Sequence, residues 1–429
     1  MSDLGFATQL VHAGERRAAP GGVPASTPIY ASSSFVYQTM EEVDRIVDGE
    51  VSDFVYSRYG NPTVAAFEDA MAKIENGKFA VAFGSGMAAL HAALLGCDLT
   101  PGAFVIASKD LYGATFDLLY TIFGSLGVKT VTADFGDLHS LNQKAIELKP
   151  SVFICETLSN PLLRICDIGA VSRIAREVCA KVIVDNTFAT PFLCRPLDLG
   201  ADFVVHSATK YLGGHADATG GVVIAREDFE RPALLGALTL VGGVLSPWEA
   251  HSILGGLKTL GLRMEKQCAN ASLLAMYLEL LPQIESVVYP EFFEDDTLDS
   301  VFHSPLFGAI VTIRLVEDTR EAAYRFMNSL KVCTRAASVG DIFTGIVHPA
   351  TATHRELSPA KRRELGITEG LIRISVGIED INDIIVDIEQ ALQFSVSDKL
   401  PKVQCNLSFC TASRSDDLNL AVGFNPRSG

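Results

Sequence analysis

A short apolar run, Phe203 to Val205, leads into His206-Ser207-Ala208-Thr209-Lys210-Tyr211-Leu212-Gly213-Gly214. Two hydroxyls and an amine follow the run closely, and a glycine pair then lets the chain turn. An amine beside apolar walls loses hydration, which lowers its pKa toward the range where it is a nucleophile. Two readings suit this stretch. Lys210 forms a Schiff base with Ser207 and Thr209 as phosphate ligands, or it is a surface lysine in an αβ loop. The window alone does not separate them.

A second stretch bears on the choice. Ala80-Val81-Ala82-Phe83 followed by Gly84-Ser85-Gly86-Met87-Ala88-Ala89 reads as a strand, a glycine turn and a helix start. The spacing fits a dinucleotide-binding turn. Its physical content is narrower, because amides at a helix N-terminus favour any phosphate. Asp110 is poorly suited to hold a ribose, since Lys109 precedes it and Leu111-Tyr112-Gly113 follows. The turn is therefore read as a phosphate cradle and not as a nicotinamide site. Upstream, Tyr56-Ser57-Arg58-Tyr59-Gly60-Asn61-Pro62 offers a Tyr-x-Arg ahead of a helix. Asn61 suits the N-cap, Pro62 the first helical position and Gly77 the C-cap.

Strand-like runs at Phe104–Ala107, Val128–Thr132, Val152–Cys155, Val182–Val184, Phe203–Val205 and Val222–Ala225 alternate with helical stretches such as Ile168 to Ala180. Repeated βα units predict a mainly parallel, doubly wound sheet. Polar residues collect at the strand ends: Glu156, Asn160, Asp185, Asn186, Ser207 and Lys210. Open α/β sheets hold ligands at that edge. Beyond Pro247-Trp248 the pattern changes. Met264 to Leu281 reads as a long helix, Gly308 to Leu315 alternates like a half-buried strand, and Leu371–Val376 and Asp380–Phe394 read as a strand and a helix. The expected organisation is an N-terminal arm over residues 1–55, a large α/β domain over 56–255, a smaller α+β domain over 256–395, and a flexible tail over 396–429.

Composition narrows the function further. The 429 residues are 48% hydrophobic and 20% charged, ordinary for a globular protein, with a net charge of −16. That charge disfavours nucleic-acid and anionic-membrane partners, which call for clustered Lys and Arg. No apolar run approaches a membrane span, and the first residues lack a signal-peptide pattern. The 9 cysteines are scattered with no CxxC pair, which suits a reducing compartment, so a cytoplasmic protein is expected. His348 and His354 lack a third partner for a metal and read as structural.

A glycine phosphate turn, a strand-end aspartate, a strand-end lysine and a late-strand Arg373 are together what pyridoxal phosphate chemistry uses. The lysine carries the cofactor and moves protons, and the aspartate keeps the pyridine nitrogen protonated. An aromatic such as Tyr112 stacks on the ring, and an arginine grips a carboxylate.

At these residues the chain resembles the Cys/Met-metabolism pyridoxal-phosphate enzymes, which include cystathionine γ-synthase, cystathionine and methionine γ-lyases and O-acetylhomoserine sulfhydrylase. The resemblance runs from about Tyr56 to about Leu392. It rests on Tyr56-Ser57-Arg58, Gly60-Asn61-Pro62-Thr63, Gly84-Ser85-Gly86-Met87, Leu111-Tyr112-Gly113, Val184-Asp185-Asn186-Thr187, Ser207-Ala208-Thr209-Lys210-Tyr211 and Arg373-Ile374-Ser375-Val376-Gly377. It implies fold type I, the aspartate aminotransferase-like fold, with a seven-stranded, mainly parallel sheet, helices on both faces and a smaller C-terminal domain. Lys210 would carry pyridoxal 5'-phosphate, Asp185 would pair with its pyridine nitrogen, and Gly86, Met87, Ser207 and Thr209 would hold its phosphate. Tyr56 and Arg58 would reach the phosphate of a neighbouring subunit, in a dimer of dimers. Tyr112 would stack on the cofactor and assist the leaving group, while Asn160, Ser338 and Arg373 would bind the substrate carboxylate.

By the same resemblance the activity is γ-elimination on a sulfur-containing or γ-substituted L-amino acid, or else γ-replacement on an activated homoserine. Ala114 stands where methionine γ-lyases usually have cysteine, and Leu238 and Thr239 where they have lysine and aspartate. Phe343 stands near where cystathionine enzymes commonly have a glutamate, and an apolar ring there could not pair with the distal ammonium of cystathionine. The first changes count against a dedicated methionine γ-lyase and the last against cystathionine as substrate, while Val241-Gly242-Gly243-Val244-Leu245-Ser246-Pro247 still resembles the cystathionine branch. A nicotinamide oxidoreductase, resting on the glycine turn alone, and a non-catalytic binding scaffold are the rival classes.

Overall fold

The structure is a computed structural model that describes residues 5–15, 22–51, 53–293 and 297–395; the tail expected over residues 396–429 lies outside them. A seven-stranded sheet forms its centre. The strands are β1 (Phe79–Phe83), β2 (Phe104–Ser108), β3 (Lys129–Ala133), β4 (Val152–Glu156), β5 (Lys181–Asp185), β6 (Phe203–Ser207) and β7 (Gly221–Ala225). Their spatial order is β1-β7-β6-β5-β4-β2-β3. The pairs from β6 through β5, β4 and β2 to β3 are parallel, and β7 runs antiparallel to both β1 and β6.

Residues that read as unbroken apolar runs are strands covered on both faces. Along β6, Val204 joins one core, while Phe203 and Val205 join the other; Phe153 and Ile154 of β4 divide in the same way. That two-sided burial is why these strands lack polar alternation. The helix Gly86–Leu95 lies on one face, and the helices Pro62–Ile74 and Ile168–Glu177 lie on the other.

A second sheet, with order β10-β11-β12-β9-β8, is built from β8 (Ile284–Val288), β9 (Ile310–Leu315), β10 (Thr334–Arg335), β11 (Gly345–Val347) and β12 (Leu371–Ser375). It packs a core of its own against the helices Arg320–Ser329 and Ile381–Leu392. The helix Leu260–Leu278 joins the two bodies. Its Leu260, Met264 and Cys268 belong to the core of the large sheet, and its Ala271, Leu274, Ala275 and Leu278 to that of the small one.

Several local expectations change. The N-terminal stretch is extended only in part, because the helices Phe6–His12 and Met40–Val47 interrupt it. The first is too short to display a 3.6-residue period, and the second carries it only over Met40, Val43, Ile46 and Val47. Asn61 does cap the helix at Pro62, with its side chain accepting from the Thr63 amide at 3.0 Å. At the other end Asn76, not Gly77, takes the left-handed position, with φ at 57°. Gly77 is needed for space instead, since a Cβ there would lie 2.2 Å from Ile224 Cγ2. Strand β9 is not half-exposed either: Thr312 is fully buried and its hydroxyl donates to the Pro161 carbonyl at 2.7 Å. Among the described residues no helix is long and apolar enough to cross a membrane.

Candidate active site

The carboxyl ends of β4, β5 and β6 open onto a cavity of about 300 Å3. The helix Gly86–Leu95 points its N-terminus into it, and the segment around Ser338 and strand β12 close it from the second sheet. Ten of the residues singled out from sequence meet here: Gly86, Met87, Tyr112, Asn160, Asp185, Ser207, Thr209, Lys210, Ser338 and Arg373.

Backbone contacts that only glycine permits shape the cradle. A Cβ on Gly86 would lie 2.8 Å from Ser207 Cβ, and one on Gly221 would lie 2.1 Å from the Ser85 carbonyl oxygen. The first turn of the helix therefore sits directly against the end of β6. Ser85 caps it, accepting from the Ala88 amide at 3.1 Å. The Gly86 and Met87 amides precede the first intrahelical bond, so they have no carbonyl partner within the helix. With the helix dipole they form a site for an anion.

Asp185 is fixed by the residue two positions on. Its Oδ1 accepts from the Thr187 amide at 2.9 Å and from the Thr187 hydroxyl at 2.5 Å, and the Thr187 oxygen accepts from the Ser207 amide at 2.8 Å. Burial pushes the Asp185 carboxyl up from the ordinary range, while Thr187 and the charge of His206 pull it down. A buried acid held by one oxygen is suited to pair with a cationic ring nitrogen.

Lys210 and Arg373 converge on one residue. Lys210 Nζ donates to Ser338 Oγ at 3.4 Å, and Arg373 Nη2 donates to the Ser338 carbonyl at 3.2 Å. Arg373 Nη1 donates to Asn160 Oδ1 at 2.8 Å, while its Nε is buried with no partner. Burial lowers the Lys210 amine, the Arg373 charge adds to that, and Asp341 opposes it. Arg373 is itself brought down to about 10, chiefly by burial. A cavity wall with an orphaned guanidinium nitrogen calls for a carboxylate.

Tyr56 and Arg58 do not line this cavity. Arg58 donates from Nη1 to the Thr239 carbonyl at 2.9 Å, with its guanidinium 5.4 Å from the Tyr56 ring centroid and 4.7 Å from that of Tyr59. Tyr56 is 41% exposed, and the nearby helix Arg231–Val241 ends in exposed Leu240 and Val241. His348 is bound on both ring nitrogens, by Thr351 Oγ1 at 2.9 Å and the Glu369 carbonyl at 2.7 Å.

Reading the sequence placed Glu156 at the strand edge but gave it no role. In the structure Glu156 lines the cavity and its Oε1 accepts from the Tyr112 amide at 2.5 Å. Thr187, Thr353 and Ala337 also line the cavity. Thr187 was legible as a hydroxyl two residues after an aspartate, a spacing that favours local hydrogen bonds; Thr353 carried no comparable signal. A wider recess of about 550 Å3, walled by Phe116, Tyr120, Leu162 and Arg355, shares Tyr112, Asn160 and Thr353 with the inner cavity.

The donor set fits pyridoxal phosphate: an anion cradle, a buried acid, an amine of lowered basicity and an arginine sharing one space. Fold and site together define a fold type I pyridoxal-phosphate enzyme. The chain belongs to the family of Cys/Met metabolism PLP-dependent enzymes, whose pattern it matches over residues 7–393. It is 41% identical over 394 residues to L-methionine gamma-lyase of Pseudomonas putida, covering 91% of this chain and 98% of that one. It is 38% identical over 390 residues to O-succinylhomoserine sulfhydrylase of Pseudomonas aeruginosa, covering 90% and 95%. Cystathionine gamma synthase from Xanthomonas oryzae pv. oryzae, solved with aminoacrylate and cysteine, superposes with a TM-score of 0.85 at 33% identity, over 91% of this chain and 98% of that one. The expected fold and cofactor stand, and the nicotinamide alternative falls.

Proposed function

We propose that this enzyme catalyses γ-elimination on a sulfur-containing or γ-substituted L-amino acid, consuming water and releasing a 2-oxo acid, ammonia and a thiol. The observation that carries the reading is the meeting of Lys210 and Arg373 at Ser338. An amino acid whose carboxylate pairs with Arg373 and Asn160 has its Cα brought toward the Lys210 amine. Identity to L-methionine gamma-lyases supports elimination. Similarity to sulfhydrylases supports γ-replacement as the second reading.

Pyridoxal phosphate, when bound, supplies an electron sink for the charge that develops beside the substrate amino group. The Gly86 and Met87 amides with Ser207 and Thr209 would hold its phosphate, and Asp185 its pyridine nitrogen. Lys210 would carry the cofactor, and its amine is placed to take the proton from substrate Cα and to return protons later. Tyr112, which lines both the cavity and the outer recess, would face the departing group. Arg373 and Asn160 fix the carboxylate throughout, so the proton is removed from a held geometry. The outer recess receives the γ-substituent, and Ala114 and Phe116 make part of its wall.

Tyr56 lies exposed and Arg58 half-buried, both away from their own cavity, beside apolar Leu240 and Val241. This placement supports an active site completed across a dimer. The deciding experiment is to supply the pure enzyme with methionine, cystathionine, cysteine and O-acetylhomoserine, each with and without added thiol. The expected outcome is 2-oxobutyrate from a γ-substituted substrate. Thioether products alone would leave the replacement reading in its place.

A further inference from the structure

The segment that carries Ser338 presses unusually close to the lysine. Gly340 has φ at 82°, and a Cβ there would lie 2.5 Å from the Tyr211 backbone nitrogen. The segment is pinned on both sides. The Gly340 amide donates to Ser375 Oγ at 3.0 Å, the Ile342 amide to the Gly214 carbonyl at 3.1 Å, and Gln267 Nε2 to the Asp341 carbonyl at 2.8 Å. This brings Asp341 to 3% exposure behind Ser338, with its Oδ1 buried and without a hydrogen-bond partner. A buried carboxylate oxygen left unpaired calls for an explanation.

The charged groups around it supply one. Burial pushes the Asp341 carboxyl up, and the Ser338 hydroxyl, Lys210, the Ala216 amide and His215 around it pull it back toward the charged form. Arg263, on the helix behind, feels the same carboxylate, but its own hydrogen bonds go to the Tyr211 and Gly256 carbonyls and the Thr259 hydroxyl. Arg373 lies beyond Lys210, while Asp185, Glu156 and Tyr112 close the cavity elsewhere. Asp341 is thus an acid set behind a cavity wall that carries Lys210 and Arg373, with Arg263 on its far side.

We infer that Asp341 is a positioning residue for Lys210, a buried counter-charge that acts partly through the Ser338 hydroxyl to hold the Lys210 nitrogen in place and to retain a proton on it. The inference rests on the assignment of Lys210 as the cofactor-bearing lysine. Removing the carboxylate leaves Arg373 unopposed beside Lys210, so the nitrogen gives up its proton more readily.

The test uses the full-length holoenzyme with Asp341→Asn, Asp341→Glu and Ser338→Ala. The readout is the pH midpoint at which the visible absorbance of the bound cofactor changes, alongside kcat and KM. Asp341→Asn is expected to move the midpoint to lower pH and to lower kcat at least about tenfold, with KM changed less. Asp341→Glu restores the midpoint toward wild type, and Ser338→Ala moves it in the same direction as the Asn variant but by less. If the Asn variant does not fold, the Ser338→Ala midpoint decides. A midpoint unmoved in the folded variants overturns the inference. Borohydride reduction and peptide mapping separate the two claims: a label on another residue defeats the Lys210 assignment, whereas a label on Lys210 with an unmoved midpoint defeats the role of Asp341.

Discussion

Glu156 and Asp185 end adjacent parallel strands as direct register partners, which sets two carboxyls side by side in the floor of the cavity. Burial and the neighbouring Asp185 push the Glu156 carboxyl well above the usual range, against the opposing pull of the Tyr112 and Asn160 amides. Two such acids do not readily ionise together, and the larger push falls on Glu156, which favours its neutral form and leaves Asp185 the readier of the two to meet a cation.

Glu156→Gln tests that division. An acid whose pKa is raised in the folded state adds stability that is complete below its unfolded pKa and is lost as pH rises through the folded one. The cofactor-free wild type should therefore lose melting temperature relative to the Gln variant as pH rises above the ordinary carboxylate range, and the two should converge in acid. Parallel melting curves across that range would show Glu156 to be ionised throughout.

Lys210→Ala should abolish turnover and the covalent cofactor label while the fold persists, as judged by circular dichroism. Retained turnover would end the proposed mechanism.

Arg373→Lys replaces a planar fork by a point charge at a buried site. The charge stays but the second hydrogen bond to a carboxylate is lost, about 1.5–3 kcal/mol, so kcat/KM for the amino acid should fall roughly tenfold or more. Cofactor binding should be spared, which a normal visible spectrum would confirm.

Gly86→Ala should weaken cofactor retention by about 1–3 kcal/mol, because the added methyl meets Ser207 in a site with no slack. Equilibrium dialysis of the holoenzyme measures it. Unchanged retention would remove the glycine turn from the cradle.

Arg58→Ala and Lys210→Ala, each inactive alone, should complement when the subunits are mixed, unfolded and refolded together. In a dimer that shares its sites across the interface, one site of each mixed pair carries neither change, so about a quarter of wild-type activity should return. No recovery would confine each site to a single chain.

Much of the catalytic edge was legible because strand ends and glycine turns leave marks in sequence. Asp185, Ser207 and Lys210 follow apolar runs, and Ser85-Gly86 opens a helix. What stayed hidden depends on contacts remote in sequence. Thr353 enters the cavity from a loop with no period, and its carbonyl lies 3.2 Å from where a Cβ on Gly113 would be. Gly340 has no local signature for its approach to Tyr211. The regular alternation of β9 promised an exposed face, yet Thr312 is covered by the Pro161 segment from the other body.

The helix Leu260–Leu278 has a consequence for anyone who exchanges parts between relatives to retune selectivity. Arg373 rides on the small sheet and Lys210 on the large one, and this single rod is mortared into both foundations. A chimaera spliced partway along it would inherit mismatched halves of two interiors. Junctions in the connections on either side would instead transplant Arg373 with its footing whole.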